Sequence, residues 1–76
     1  MLNLTPRDRD CCDLLIQARS NREIGDRLGI TEGSVKRRFH QIFLRNQIHL
    51  DPAKHDRIVL ALLYYGEKKA LLAAGS

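Results

Sequence analysis

The apolar positions of this chain recur at three- and four-residue spacings, and no segment shows the strict apolar and polar alternation of a strand. Residues that commonly cap helices precede the apolar runs at Thr5, Ser20, Thr31 and Asp51. The pattern predicts helices at about residues 6–18, 21–28, 32–47 and 52–65. Residues 66–76 form a tail, for which a further helical turn and a loose segment both stay open. We therefore expect an all-α fold in a single domain, residues 1–76.

The second and third predicted helices are joined by a very short connection at residues 29–31. Gly29 can adopt the positive φ that ends a helix, and Thr31 can cap the next one. Two helices joined in this way must cross steeply, which is the helix-turn-helix arrangement. The expected architecture is therefore a four-helix bundle of the helix-turn-helix type, with a tri-helical core and an added C-terminal helix.

The third predicted helix has an apolar face and a polar face. On a helical wheel, one side carries Val35, Phe39, Ile42, Phe43 and Asn46. The other side carries Gly33, Arg37, His40, Gln41 and Leu44. We expect the first side to pack on the core and the second to face solvent.

Charge and length narrow the classes of function. The chain has 76 residues, with 13 Lys and Arg against 9 Asp and Glu. So small a domain leaves no room for a deep enzymatic cleft, and no nucleophile stands in a pattern typical of catalysis, so we expect no enzyme. Positive charge is concentrated on the third helix, and this favours a polyanionic partner. The residues that carry it are Lys36, Arg37, Arg38 and Arg45. Charge alone leaves open a basic, solvated surface without a specific partner.

Double-stranded DNA is the polyanion that this helix would fit, because the major groove accepts the first turns of a helix entering by its N-terminal end. On this hypothesis Lys36, Arg37 and His40 face base edges. Thr31 and Ser34 offer hydroxyl and backbone N–H groups at the helix N-terminus, where the dipole favours a phosphate. The turn that precedes this face weighs against a merely solvated surface.

The adjacent residues Cys11 and Cys12 point about 100° apart on a helix, so they cannot form an ordinary disulfide or a metal site. We interpret them as small buried hydrophobic residues of a reduced cytosol. The sequence shows neither a secretion leader nor an apolar run near the roughly 18 residues of a membrane span. We expect a cytoplasmic protein without membrane contact.

Two further groups of polar residues have structural interpretations. Glu23 either closes a capping box with Ser20 or pairs with Arg27 one turn on. His49 and His55 could suggest a metal, but no third ligand has suitable spacing. We therefore expect no metal and no cofactor.

The fourth predicted helix carries more apolar surface than a core on one side can cover. The surplus lies at Val59, Leu60, Leu63 and Tyr64, which we interpret as a homodimer contact. The alternative that stays open is a helical interaction module, for example an anti-regulator, that docks a partner protein through the same helix.

Four blocks of residues in register resemble the LuxR-type (GerE-like) helix-turn-helix family. They run from Leu4 to Arg9, from Ser20 to Ile24, from Leu28 to Lys36, and over Ile42 and Phe43. The resemblance implies a four-helix domain of transcription regulators that binds double-stranded DNA as a homodimer, largely through the fourth helix. A sigma-factor region 4 domain is the nearest alternative, and RNA polymerase or another regulator would be a further partner.

The resemblance also implies roles for particular positions. It places Lys36, Arg37 and His40 toward the major groove, a face that also carries Gln41. Positions on or beside phosphate contacts are Asn21, Arg22, Thr31 and Ser34.

Several residues depart from the family pattern. The family usually has Gly where Ala18 and Gln47 stand, Glu where Asp8 stands and Ala where Gly25 stands, so we expect differently set helix ends. Gly25 should also loosen the second helix by about 1 kcal/mol relative to Ala. The connection from Ile48 to the fourth helix is about four residues longer than usual, which predicts an altered dimer geometry.

Overall fold

The computed structural model describes residues 1–48 and 56–74 and contains four α-helices in these ranges. They are α1 (Pro6–Leu15), α2 (Asn21–Leu28), α3 (Glu32–Arg45) and α4 (Asp56–Ala74). No strand occurs in these two segments, so the all-α prediction is confirmed. The predicted start of the fourth helix at residue 52 lies outside the described residues, as do His49, Asp51 and His55.

The first three helices begin where their caps predict. The N-cap residues are Thr5, Ser20 and Thr31. Glu23 closes the capping box of α2, since its Oε1 accepts from the Ser20 backbone N–H at 3.0 Å. The same carboxylate pairs with Arg19 at 3.3 Å rather than with Arg27. The chemistry that starts these helices is local, which is why sequence spacing predicts it.

Each of the first three helices is followed, within three residues of its end, by a residue in the left-handed conformation. Ala18 and Gln47 take this conformation with φ of 61° and 56°, and Gly29 takes it with φ of 72°. In each case the next N–H donates to a carbonyl five residues back, for example Ile48 to Phe43 at 2.9 Å. α1 and α3 therefore stop at Leu15 and Arg45, earlier than predicted. Ala18 and Gln47 thus adopt the left-handed conformation that glycine usually provides after a helix.

The core is formed by apolar side chains from all four helices. Its buried members are Cys11, Cys12, Leu15, Ile24, Val35, Phe39, Ile42, Phe43, Leu60 and Tyr64. The predicted inner face of α3 is confirmed, and both cysteines are buried as expected. Asn46 at its end is only half-buried and hydrogen-bonds Asn3. α2 packs most extensively on α3, whereas α4 packs on α1 and α3.

Gly66 does not end α4, which continues to Ala74. Two contacts with distant parts of the chain hold the helix beyond this glycine. Glu67 Oε1 accepts from the Leu2 backbone N–H at 2.5 Å, and Lys68 Nζ pairs with Asp13 at 2.8 Å. The question left open for residues 66–74 is therefore answered as helix.

Gly25 lies where α2 approaches the turn that leads into α3. A Cβ at this position would lie 2.6 Å from the carbonyl oxygen of Ile30 and 3.3 Å from the Thr31 carbonyl carbon. Both atoms belong to the backbone, so neither can rotate away. The glycine therefore allows a close approach, and the expectation that it merely loosens α2 needs correction.

Candidate nucleic-acid interface

The outward face of α3 presents the polar side chains that the helical wheel placed there. Lys36, Arg37, His40 and Gln41 are exposed, whereas Val35 on the opposite side is fully buried. Since α3 rests on the core along one side, its direction is fixed by packing. The helix therefore displays a row of hydrogen-bond donors on a rigid support.

The structure brings three of the predicted site residues around one shallow polar depression. Ser34, Arg37 and Gln41 line a cavity of about 210 Å³ together with Arg38. Thr31 lies close by at the N-terminus of α3, where its hydroxyl donates to Ser34 Oγ at 2.9 Å and accepts from the Ser34 N–H at 3.0 Å. Thr31 thus acts as a cap and remains exposed to an external ligand.

Two of the four cations of α3 are engaged inside the protein, contrary to expectation. Arg45 Nη1 lies 2.6 Å from Asp8 Oδ2, and Arg38 Nη1 lies 3.3 Å from Asp8 Oδ1. The Asp8 side chain is 2% exposed, while each arginine is 32% exposed. The unpaired positive charge of α3 therefore comes from Lys36 and Arg37, for which no ion pair occurs within residues 1–48 and 56–74.

Asp8 pairs with both Arg38 and Arg45, a role that the sequence did not reveal. Burial acts to raise its pKa, but hydrogen bonds from the Thr5 backbone N–H, from Arg45 and from Arg38 outweigh burial and lower the pKa below its ordinary value. The carboxylate therefore stays charged and links α1 to two turns of α3. Its place as third residue of α1 indicated only the capping box.

The start of α2 carries the other two residues predicted to meet phosphates. Arg22 is exposed, and Asn21 is half-buried. The Asn21 Oδ1 atom accepts a hydrogen bond from Arg57 Nη1 of α4, so the amide is already engaged on its oxygen side. No feature of the sequence pointed to Arg57, because its contacts cross 36 residues of chain.

The predicted dimer contact on α4 divides into two buried and two exposed residues. Leu60 and Tyr64 are 0% and 5% exposed, because both pack in the core of their own chain. The prediction that they belong to surplus surface is therefore wrong. Val59 and Leu63 are 40% and 47% exposed, and their part in dimerisation stays a prediction.

Most exposed large apolar side chains of the described chain lie on α4. They include Ile58, Leu62, Tyr65, Leu71 and Leu72 in addition to Val59 and Leu63. Despite this composition, none of the described helices combines the length and apolarity that crossing a bilayer requires. The outer side of α4 is thus an apolar surface on a helix anchored by its inner side.

Comparison with family models, with curated proteins and with solved structures found no match to this chain.

Proposed function

We propose that this chain is a cytoplasmic, sequence-specific transcription regulator of the LuxR type, whose α3 enters the major groove of double-stranded DNA. The observation that supports the proposal is the two-sided packing of α3. Val35 and Ile42 are buried beneath it, while Arg37 and His40 project from the opposite side. Because the core already orders this helix, binding would cost little conformational entropy.

Arg37 is the residue that we expect to discriminate bases most strongly. Its guanidinium has no partner within the described chain, and its fork matches O6 and N7 of guanine. His40 and Gln41 follow on the same exposed face and would read neighbouring bases. The contacts proposed for phosphates are Thr31, Ser34, Asn21 and Arg22, which would fix the register of α3 in the groove.

Selection from random duplexes followed by titration of the recovered site tests this function. Arg37→Ala should lower affinity for that site about 5- to 150-fold, the value of one good base contact. Arg9→Ala is the matched control, because it removes one positive charge from α1, which the proposal places neither against DNA nor in the dimer. The proposal fails if the protein binds no duplex at low salt, or if Arg37→Ala behaves like the control.

The proposal includes a homodimer that forms through the outer side of α4. Val59, Leu63 and Gly66 follow one another at four- and three-residue spacings and carry no charge, so two copies could pack closely along this line. Leu63→Glu should then shift a dimer to a monomer in sedimentation while the fold persists. A protein that stays monomeric on a recovered inverted repeat would remove the dimer from the proposal.

A second candidate function is favoured by the amount of apolar surface on α4. Leu62 and Leu72 are 68% and 70% exposed, which is typical of a contact with another protein. In this function the helix-turn-helix is a scaffold, and α4 docks RNA polymerase or another regulator. Salt distinguishes the two, because DNA affinity falls steeply with salt whereas apolar docking changes little.

A further inference from the structure

Arg57 belongs to α4, yet its side chain reaches the beginning of α2. One guanidinium nitrogen donates to Asn21 Oδ1, and the other donates to the carbonyl oxygen of Arg19 at 2.5 Å. The guanidinium carbon also lies 5.4 Å from the centroid of the Phe39 ring, in a cation–π contact. Groups from three parts of the fold therefore hold this cation in one place.

Arg57 forms no ion pair within the part of the chain that the structure describes, although Glu23 and Glu32 line a neighbouring depression with it. Its hydrogen-bond acceptors are an amide oxygen and a backbone carbonyl, and no carboxylate within residues 1–48 and 56–74 pairs with it. A half-buried cation without a counter-ion is costly. A guanidinium has five N–H donors, of which two are used here, so donors remain for an external anion.

Arg57 lines a small cleft together with Lys36, which has no ion pair among the described residues. The cleft has a volume of about 170 Å³ and is lined by Asn21, Lys36, Phe39, Phe43 and Arg57. Its described lining consists of two cations, one amide and two aromatic rings, with no acidic side chain among them. The rings of Phe39 and Phe43 are stacked with centroids 6.4 Å apart, which gives the cleft an apolar floor between charged walls.

We propose that this cleft binds one sugar–phosphate unit of the DNA backbone. Arg57 and Lys36 would donate to the phosphate oxygens, since paired cations favour an anion over a neutral base edge. The exposed edge of Phe43, the less buried of the two rings, would contact the apolar side of the deoxyribose. This inference rests on the proposed function and deepens it, because it adds the fourth helix to the DNA surface and moves Lys36 from a base contact to a backbone contact.

The test measures binding of a fluorescein-labelled duplex of arbitrary sequence by anisotropy between about 50 and 200 mM salt. Arg57→Gln removes one phosphate contact, so the slope of log K against log salt should become smaller by about 0.9. The factor by which affinity falls between about 50 and 200 mM salt should then be about 3.5-fold smaller than in the unmodified protein. Lys36→Gln should act in the same way, and its exposed position spares the fold.

Two controls separate a contact from a structural effect. Arg57→Lys keeps the charge and should keep the slope, whereas Arg9→Gln removes a charge from α1, outside the proposed DNA and dimer surfaces, and should leave the slope unchanged. Circular dichroism checks that each variant is folded. If Arg57→Gln does not fold, the salt slope of Lys36→Gln tests the inference. An unchanged slope in the folded Arg57→Gln protein, or in Lys36→Gln, overturns the inference even where affinity drops. Failure of the unmodified protein to bind any duplex overturns the proposed function itself.

Discussion

Replacing Gly25 by alanine tests the packing of α2 against the turn that orients α3. On helix propensity alone this substitution should stabilise the protein by about 1 kcal/mol. The added Cβ, however, would lie 2.6 Å from the Ile30 carbonyl oxygen. The N–H of Ile30 donates to the Gly25 carbonyl at 2.9 Å, so the obstructing segment is itself tied to α2. Overpacking costs about 1–3 kcal/mol, and the rigid backbone places this clash in the upper part of that range, at about 2–3 kcal/mol. Subtracting the gain of about 1 kcal/mol in helix propensity leaves the net effect of Gly25→Ala.

We therefore expect Gly25→Ala to destabilise the fold by about 1–2 kcal/mol, which lowers Tm by roughly 5–15 °C in a domain of this size. Gly66→Ala is the matched control, since Gly66 also lies within a helix but has no atom of its own chain within 4 Å of an added Cβ. It should gain about 1 kcal/mol. Both variants are measured at concentrations where the chain is monomeric, because Gly66 belongs to the proposed dimer line. Thermal and urea denaturation followed by circular dichroism measure both variants. If the two substitutions raise Tm alike, the close approach at Gly25 has no energetic consequence and the reasoning is wrong.

Further predictions concern charge, backbone strain and thiol reactivity. Asp8→Asn should lower the free energy of unfolding by about 2 kcal/mol in urea titration, because the two arginine partners lose a buried carboxylate but keep partial contact with water. Since the pKa of Asp8 is lower in the folded chain, its stabilisation is complete above about pH 4 and is lost as pH falls toward the folded pKa; the variant should lack this acid-dependent loss. Ala18→Gly should raise stability by about 0.5 kcal/mol, because glycine takes a φ of 61° without strain but loses more entropy on folding; an unchanged or lower Tm would contradict this. Burial raises the pKa of Cys12 to about 12, so a thiol reagent at pH 8 should label it only as the protein unfolds, and rapid labelling of the folded chain would show that the thiol is accessible.

The starts of the first three helices could be predicted because they depend on residues three apart. The side chains of Ser20 and Glu23 exchange hydrogen bonds with each other's backbone N–H groups, and this needs no other part of the protein. The exposed side of α3 could be predicted equally well, because a strong apolar stripe packs on the core and the opposite face must then point to solvent.

The ends of the helices could not be predicted equally well. Nothing in an alanine at position 18 signals a left-handed residue, so the first helix was expected to run too far. The continuation of α4 past Gly66 depends on Glu67 and Lys68, whose partners lie 65 and 55 residues away in the chain. Contacts at such separations have no local signal.

The candidate site was predicted where it depends on one helix and missed where it depends on several. In the sequence, Arg38 and Arg45 are two of the cations of a basic helix. Only the tertiary fold shows that both pair with Asp8. In α4, Leu60 and Leu63 belong to a run of apolar residues that surrounds the helix. The run itself does not say which stripe turns inward, so buried and exposed members were predicted alike.

The last part of α4 extends beyond the side chains that anchor it. Tyr64 is the last buried residue, and all of residues 68–74 are exposed although Lys68 is tied to Asp13. Backbone amides there are protected by helical hydrogen bonds without overlying packing, so their exchange with deuterium should quicken from Leu60 toward Ala74. A molecule that binds to these final turns would slow the exchange of their amides and leave the exchange of the core amides unchanged. Exchange at the end of α4 therefore reports directly whether a partner is bound there.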